Sequence, residues 1–358
     1  MTSQVIAVTQ PTMLLFAQVK ENGAMVRREV LAGLLASAGT AMLPNVARTA
    51  NEPLRCVAAV QECDVRAADR HDAELRFAKL PAGEVAYVDR GEGPAALFLH
   101  GFPLSSFQWR DVIELSSGRR RCVAADFLGL GRSRVAAGQA VTPDAQVAML
   151  VSLMDYLRIA IADVVANDSG GAVAQLLAVT HPQRVRTLLL TNCDVEPDSP
   201  PPALLPVIEL ARKGTYADER LVPWVNAPDL ARSANGLGGL CYSKPGYPSN
   251  AAIQQYLAPL VQSPQRKALV NRYTIGLSPN PLAGIEAKLR HCRAPTRVVW
   301  GMADTIFNTS NPDYLSALLP EFRGIRRVSS GKLFFPEEYP EIVASEAWTL
   351  WSDERRQR

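Results

Sequence analysis

Apolar residues in this chain gather into short continuous runs that alternate with stretches of helical spacing, and the alternation starts near residue 73. Glu74–Ala78 and Glu84–Val88 read as an opening hairpin around Pro81-Ala82-Gly83. The continuous apolar run at 95–99 and the largely apolar run at 121–125 read as buried strands, and 185–191 as the next strand. A helix is predicted over Asp144–Leu157, with Val147, Leu150, Val151, Met154 and Leu157 on one face and Thr142-Pro143-Asp144 as its start. The run Ala162–Ala166 breaks off into Asn167-Asp168-Ser169-Gly170-Gly171, and a helical pattern over Ala172–Val179 follows. That is strand, sharp turn and helix, with a carboxylate at the apex. Small residues stand where the strand and the helix must nearly touch.

The texture changes after Asp194. Residues 196–289 hold a cluster of prolines, several short helical patterns and no strand-like run, which predicts an all-helical insertion. The alternation resumes with a strand over Thr296–Met302, a helix near Asn311–Leu319, a strand over Ile325–Val328 and a last amphipathic helix over about Glu338–Trp351. The expected class is α/β: a mostly parallel twisted sheet flanked by helices, with an inserted helical cap and ligands outside the strands' carboxyl ends. The predicted organisation is a leader over 1–50, an irregular linker over 51–72, a core from 73–195 and 290–358, and a cap over 196–289.

Composition narrows the function classes. Hydrophobic residues make up 47% and charged residues 20%, a soluble globular balance, and a net charge of +3 gives no footprint for nucleic acid. The six cysteines lack metal-ligand spacing; a Cys56–Cys63 bridge is left open for an exported chain. Met25-Val26-Arg27-Arg28 precedes an Ala-, Gly- and Leu-rich run to Leu43, the pattern of a twin-arginine export signal. That run is shorter than the roughly 20 residues of a membrane span. The expected location is periplasmic or secreted, and cytoplasmic if the leader is not functional. Neither a metal nor an organic cofactor is implied.

The elbow around Asp168 resembles the α/β-hydrolase fold superfamily, in the branch of haloalkane dehalogenases and epoxide hydrolases, where aspartate replaces serine at the apex. Ala166 stands where that pattern often has glycine. The resemblance covers about residues 84–195 and 296–351. It implies that Asp168 is the nucleophile, attacking an alkyl carbon to give an ester. It implies that the backbone N–H groups of Phe102, in His100-Gly101-Phe102-Pro103, and of Ser169 form the oxyanion hole, with His100 and Gly101 supporting that loop. Dehalogenases commonly carry Asn and Trp where this chain has Phe102 and Ser169, which leans toward epoxide chemistry, although Trp109 could donate to a halide. Asp304, in Trp300-Gly301-Met302-Ala303-Asp304, matches the triad acid.

The base is the difficulty. Relatives place a histidine before the last helix, and counting back from Glu337-Glu338-x-Pro340 puts that position on Leu333. His71, His100, His181 and His291 are the four histidines, and none is placed for the task. The chain is similar to a subgroup that lacks the histidine and carries the same Leu-Phe-Phe-Pro-Glu-Glu run together with Asn-Asp-Ser-Gly-Gly and Thr-Asn-Cys-Asp. Three substitutes stand open: Glu337 or Glu338 as base, Lys332 paired with Asp304, or Asp168 itself as general base with a pKa raised by an apolar pocket. For an epoxide, a cap tyrosine among Tyr216, Tyr242, Tyr247, Tyr256 and Tyr273 would protonate the leaving oxygen. Three functions follow: a hydrolase using Asp168 on a small apolar epoxide or alkyl halide, a silent ligand-binding protein, or a cofactor-free lyase or isomerase. The expected partner is a small molecule, without stable membrane insertion; the oligomeric state is left open.

Overall fold

The computed structural model describes residues 52–353. The leader, with Arg27 and Arg28, lies outside the described residues. Nine strands form one sheet: β1 (Arg76–Leu80), β2 (Gly83–Arg90), β3 (Ala95–Leu99), β4 (Arg121–Ala125), β5 (Arg134–Val135), β6 (Ala162–Asp168), β7 (Val185–Cys193), β8 (Thr296–Gly301) and β9 (Phe322–Val328). The spatial order is β1-β2-β4-β3-β6-β7-β8-β9, with β5 paired to β2 outside that path. β1 and β2 form the expected antiparallel hairpin, and β2 runs antiparallel to β4. From β4 to β9 every pairing is parallel.

Side chains alternate across each buried strand, so each strand supplies both faces. Leu97, Val164, Leu188 and Val298 enter one core, beneath α3 (Pro143–Tyr156) and α4 (Ser169–Thr180). Phe98, Val165, Leu189 and Val299 enter the other, under α2 (Arg110–Ser116) and the C-terminal helix Pro340–Asp353. The strand order reverses between β3 and β6, since the chain passes from β3 to β4 on one side and then returns to β6 on the other. Loops leaving two such neighbours diverge and open a crevice at their carboxyl ends.

Between Cys193 and Thr296 the described chain has no strand. It forms α5 (Leu205–Arg212), α6 (Val222–Asn226), α7 (Pro228–Arg232), α8 (Leu237–Cys241), α9 (Asn250–Val261) and α10 (Pro264–Ile275), and then α11 (Glu286–Leu289). Ser249 and Ser263 cap α9 and α10 by accepting from the N–H groups of Ala252 and Arg266. After β8 come α12 (Asn311–Leu318), α13 (Phe335–Glu338) and α14 (Pro340–Asp353). The last helix expected over about Glu338–Trp351 is α14, and the short α13 before it is parted from it at Tyr339, because the residue before Pro340 is driven out of the helical region (φ −139°, ψ 55°).

The expected irregular linker is also corrected: Glu52–Glu74 is a helix, α1. Its polar composition hid it, and it is fastened by tertiary contacts. Asp64 pairs with Arg110 at 2.9 Å, and His71 Nε2 lies 3.0 Å from Ser106 Oγ, both residues being buried. Cys63 is a free, exposed thiol. The Cys56 side chain of the expected Cys56–Cys63 bridge lies outside the described residues. No described helix is long and apolar enough to cross a membrane.

Candidate active site

Asp168 ends β6 at φ 54° and ψ −132°, a conformation that a residue with a Cβ adopts at a cost of about 1–3 kcal/mol. Two close approaches hold it there. A Cβ on Gly171 would meet the Cys193 side chain at 2.2 Å, and one on Gly101 would meet the Asp168 carboxylate at 2.8 Å. The bare Gly-Gly after the apex thus lets α4 lean on β7, and bare Gly101 lets the loop after β3 reach the carboxylate. Phe102 N–H donates to Asp168 Oδ2 over 2.7 Å, and the Ser169 N–H bonds the same carboxylate. These are the two donors expected from the sequence, brought together on the side chain.

Asp168 lies at the base of a cavity of about 440 Å³, lined chiefly by Pro201, Leu204, Val207, Trp224, Leu237 and Ile306 from the cap and its flanks. Burial drives the Asp168 pKa well above the ordinary carboxylate value; the charge of Asp194 adds to this, and the two N–H donors oppose it. Asp194 lines the same cavity and is itself buried, with a pKa pushed up to about 6 by burial against a hydrogen bond from Ser199. Arg220 and Asn235 are the remaining polar side chains on the cavity wall apart from Ser169 and the Tyr216 hydroxyl.

Asp194 is a cavity residue that sequence reasoning did not single out. It stood in Thr191-Asn192-Cys193-Asp194, a motif read only as a family mark, and its position directly after a strand was the available signal.

The turns after β3, β6 and β9 are joined by a relay of amides. Gln108 Oε1 accepts from Gly101 N–H at 2.8 Å, and Gln108 Nε2 donates to Asn167 Oδ1 at 2.6 Å. Asn167 Nδ2 in turn donates to the Leu333 carbonyl at 3.0 Å. His100 sits beneath, with Phe127 N–H donating to Nε2 at 3.0 Å and Nδ1 2.9 Å from the Gly101 carbonyl. Such bonding fixes a neutral ring with its proton on Nδ1. Burial also lowers its pKa, so His100 has no vacant nitrogen for the cavity.

Leu333 itself is buried and faces the cavity. Two of the three substitutes for a histidine there, the Lys332–Asp304 pair and the glutamates, are placed otherwise than expected. Lys332 Nζ donates to the Gly239 carbonyl at 2.6 Å and makes no ion pair with Asp304. Glu337 is engulfed by Arg110 at 2.6 Å and by the hydroxyls of Tyr242 and Tyr256 at 2.5 and 2.7 Å. Glu338 accepts from the backbone and hydroxyl of Ser243 and from Lys244 N–H. Both glutamates join α13 to the cap and neither lines the cavity. Asp304 accepts from Asn192 Nδ2 at 2.7 Å and from Ile306 N–H at 2.9 Å, and does not line the cavity either. Trp109 lies on the opposite face of the sheet, packed on Phe98, where it cannot meet a halide.

The five cap tyrosines separate as well. Tyr216 lines the cavity. Tyr273 stacks on Phe102 and its hydroxyl is 3.2 Å from Ser169 Oγ. Tyr242 and Tyr256 hold Glu337, and Tyr247 stacks on Tyr242. Among the described residues no cluster of three or more His, Cys, Asp or Glu side chains is arranged to hold a metal ion.

The model of the α/β hydrolase fold family matches residues 94–339, which takes in the parallel part of the sheet, the elbow and the cap. The chain belongs to the α/β hydrolase fold family. Within it, this hydrolase-fold chain is 27% identical over 288 residues to haloalkane dehalogenase 2 of Mycobacterium tuberculosis, covering 76% of this chain and 93% of that protein. It is 25% identical over 296 residues to epoxide hydrolase 4 of Mus musculus, covering 80% and 79%. A haloalkane dehalogenase structure from Bradyrhizobium elkani matches with a TM-score of 0.63 at 23% identity, over 79% of this chain and 99% of that one. An α/β hydrolase fold protein from Burkholderia ambifaria matches with a TM-score of 0.64 at 23% identity, over 75% and 95%. The last two are likenesses of fold.

Proposed function

We propose that this protein is a hydrolase that opens a small, largely apolar electrophile, an epoxide or an alkyl halide, through an ester on Asp168. The observation that carries the reading is the Asp168 carboxylate at the base of an apolar cavity, with Oδ2 held by the Phe102 N–H. The other oxygen attacks the carbon, and the carbon–halogen or carbon–oxygen bond breaks. A halide leaves as the ion; an epoxide oxygen takes a proton from the Tyr216 hydroxyl, which shares the cavity. Desolvation strengthens a carboxylate as nucleophile by removing the water that stabilises its charge.

The test is intact-protein mass spectrometry after exposure to styrene oxide and, separately, to 1-bromohexane. The expected result is a one-ligand adduct, trapped on rapid acid quench, that Asp168→Asn abolishes. Absence of both adduct and product over a broad panel of such electrophiles would leave the second reading, a ligand-binding protein, which rests on Leu333 standing where a proton acceptor is needed. The Arg27-Arg28 leader supports export of the chain, to be tested by fusing residues 1–50 to a reporter that matures only outside the cytoplasm.

A further inference from the structure

We propose that Asp194 is the base that hydrolyses the Asp168 ester and so takes the place of the missing histidine. The inference rests on the ester reading above and names the group that completes its cycle. Every other candidate near the site is already engaged: His100 by Phe127 and Gly101, Asp304 by Asn192 and Ile306, Glu337 by Arg110 and two tyrosines, Glu338 by Ser243 and Lys244, and Lys332 by Gly239. Of the acids, only Asp168 and Asp194 line the cavity.

Their relative placement follows from the sheet. β6 and β7 are adjacent and parallel, and Asp168 is in register with Cys193, so Asp194 is one residue beyond the partner of Asp168 at the same carboxyl edge. It is also held in place. Ser199 Oγ donates to Asp194 Oδ1 over 2.7 Å, and the residue's own backbone N–H also bonds the carboxylate. Gln175 Nε2, from the helix that follows Asp168, donates to the Asp194 carbonyl at 2.7 Å. The two carboxylates interact through space, each buried in the same apolar surround, as the influence of Asp194 on Asp168 shows. A pKa of about 6 is suited to a general base near neutral pH, being mostly ionised there yet basic enough to take a proton in the transition state.

The step balances. Water attacks the ester carbonyl carbon of Asp168 while one of its protons passes to the Asp194 carboxylate. The charge on the tetrahedral oxygen falls to the Phe102 and Ser169 N–H groups. When the intermediate collapses, the ester C–O bond breaks, the alkoxide takes the proton from Asp194, and the alcohol leaves. Asp168 is regenerated as the acid and loses its proton to solvent. One oxygen of water ends in the Asp168 carboxyl group.

The experiment follows the native protein and Asp194→Asn with 1-bromohexane by quenched-flow mass spectrometry. Asn preserves the size of the side chain and an oxygen for the Ser199 donor. The expected result is that Asp194→Asn still forms the hexyl adduct and hydrolyses it about 10²-fold or more slowly. Adduct hydrolysis in the native protein should climb with pH through about 6, as the Asp194 carboxyl ionises, the charged group acting on it being Asp198, since Asp168 is an uncharged ester in the adduct. Hydrolysis by Asp194→Asn at the native rate, or a native rate flat from roughly pH 5 to 8, overturns the proposal and leaves the ester reading standing. A native adduct that never hydrolyses does the same. No adduct and no product in either protein removes the ester reading, and this one with it.

Discussion

Asn192 Nδ2 donates to Asp304 Oδ2 over 2.7 Å, and Asn192 Oδ1 accepts from the Gly301 N–H at 2.6 Å. The acid after β8 is thereby tied to the end of β7, and its other oxygen accepts from the Ile306 N–H. Its pKa is raised by burial and lowered by these donors, the pattern of a carboxylate held by the surrounding turn.

With no histidine to orient, Asp304 chiefly serves that turn, its charge being the least of the causes that raise the Asp168 pKa. Asp304→Ala should cost on the order of 1–3 kcal/mol by leaving buried donors unpaired. It should leave the rate of adduct formation at Asp168 unchanged. Denaturant unfolding and adduct kinetics on the same sample check both halves, and a large loss of adduct formation with intact stability would show Asp304 to be in the reaction.

Leu333 offers a direct gain of function. Leu333→His places an imidazole on the cavity wall, and in an Asp194→Asn background it should restore adduct hydrolysis lost with the carboxylate. The measurement is the lifetime of the hexyl ester. Recovery by a factor of about 10²–10⁴ is the scale of one well-placed base.

Epoxides and halides should part company at Tyr216. Its pKa is raised by burial, which keeps the hydroxyl protonated and able to donate. Tyr216→Phe should lower the opening of styrene oxide about 10²-fold or more, because the developing alkoxide loses its acid. Bromide release from 1-bromohexane needs no proton and should be unaffected. Equal losses for the two substrates would point to a packing role.

Stability should carry a signature of Asp194. Its folded-state pKa is about 6, against an ordinary carboxylate value near 4. Between those values the folded chain keeps a proton that the unfolded chain has released, so this group's contribution to stability is present in acid and lost as pH rises. Asp194→Asn removes the dependence. Relative to the variant, native stability should therefore fall by about 2–3 kcal/mol as pH is raised from about 4 to 7, followed by thermal or urea midpoints.

The sheet was legible because its strands are continuous apolar runs between helices, and a doubly covered parallel sheet requires that pattern. The elbow was legible because few local sequences let a carboxylate stand at positive φ with two glycines behind it. The amide relay of Gln108 and Asn167 was not, since its members are ordinary polar residues until three loops converge. Glu337 misled for a related reason. Its spacing matched a first-turn acid, but what decides its role is Arg110, distant in sequence and on another helix. Asp194 was overlooked because one carboxylate after a strand looks like any other until the neighbouring strand brings Asp168 beside it.

Arg110 has a further meaning. Its guanidinium bonds Asp64 in α1, Glu337 in α13 and Tyr256 in the cap, so three segments far apart in sequence share one buried cation. A chain trimmed to the start of its sheet at residue 76 would keep every strand and still lose Asp64, one of three carboxylates, with Asp111 and Glu337, that pair with that cation. The helix before the sheet is therefore part of what holds the cap in place, and a cut beyond Asp64 would loosen the junction of cap and core at Arg110 while leaving the sheet itself complete.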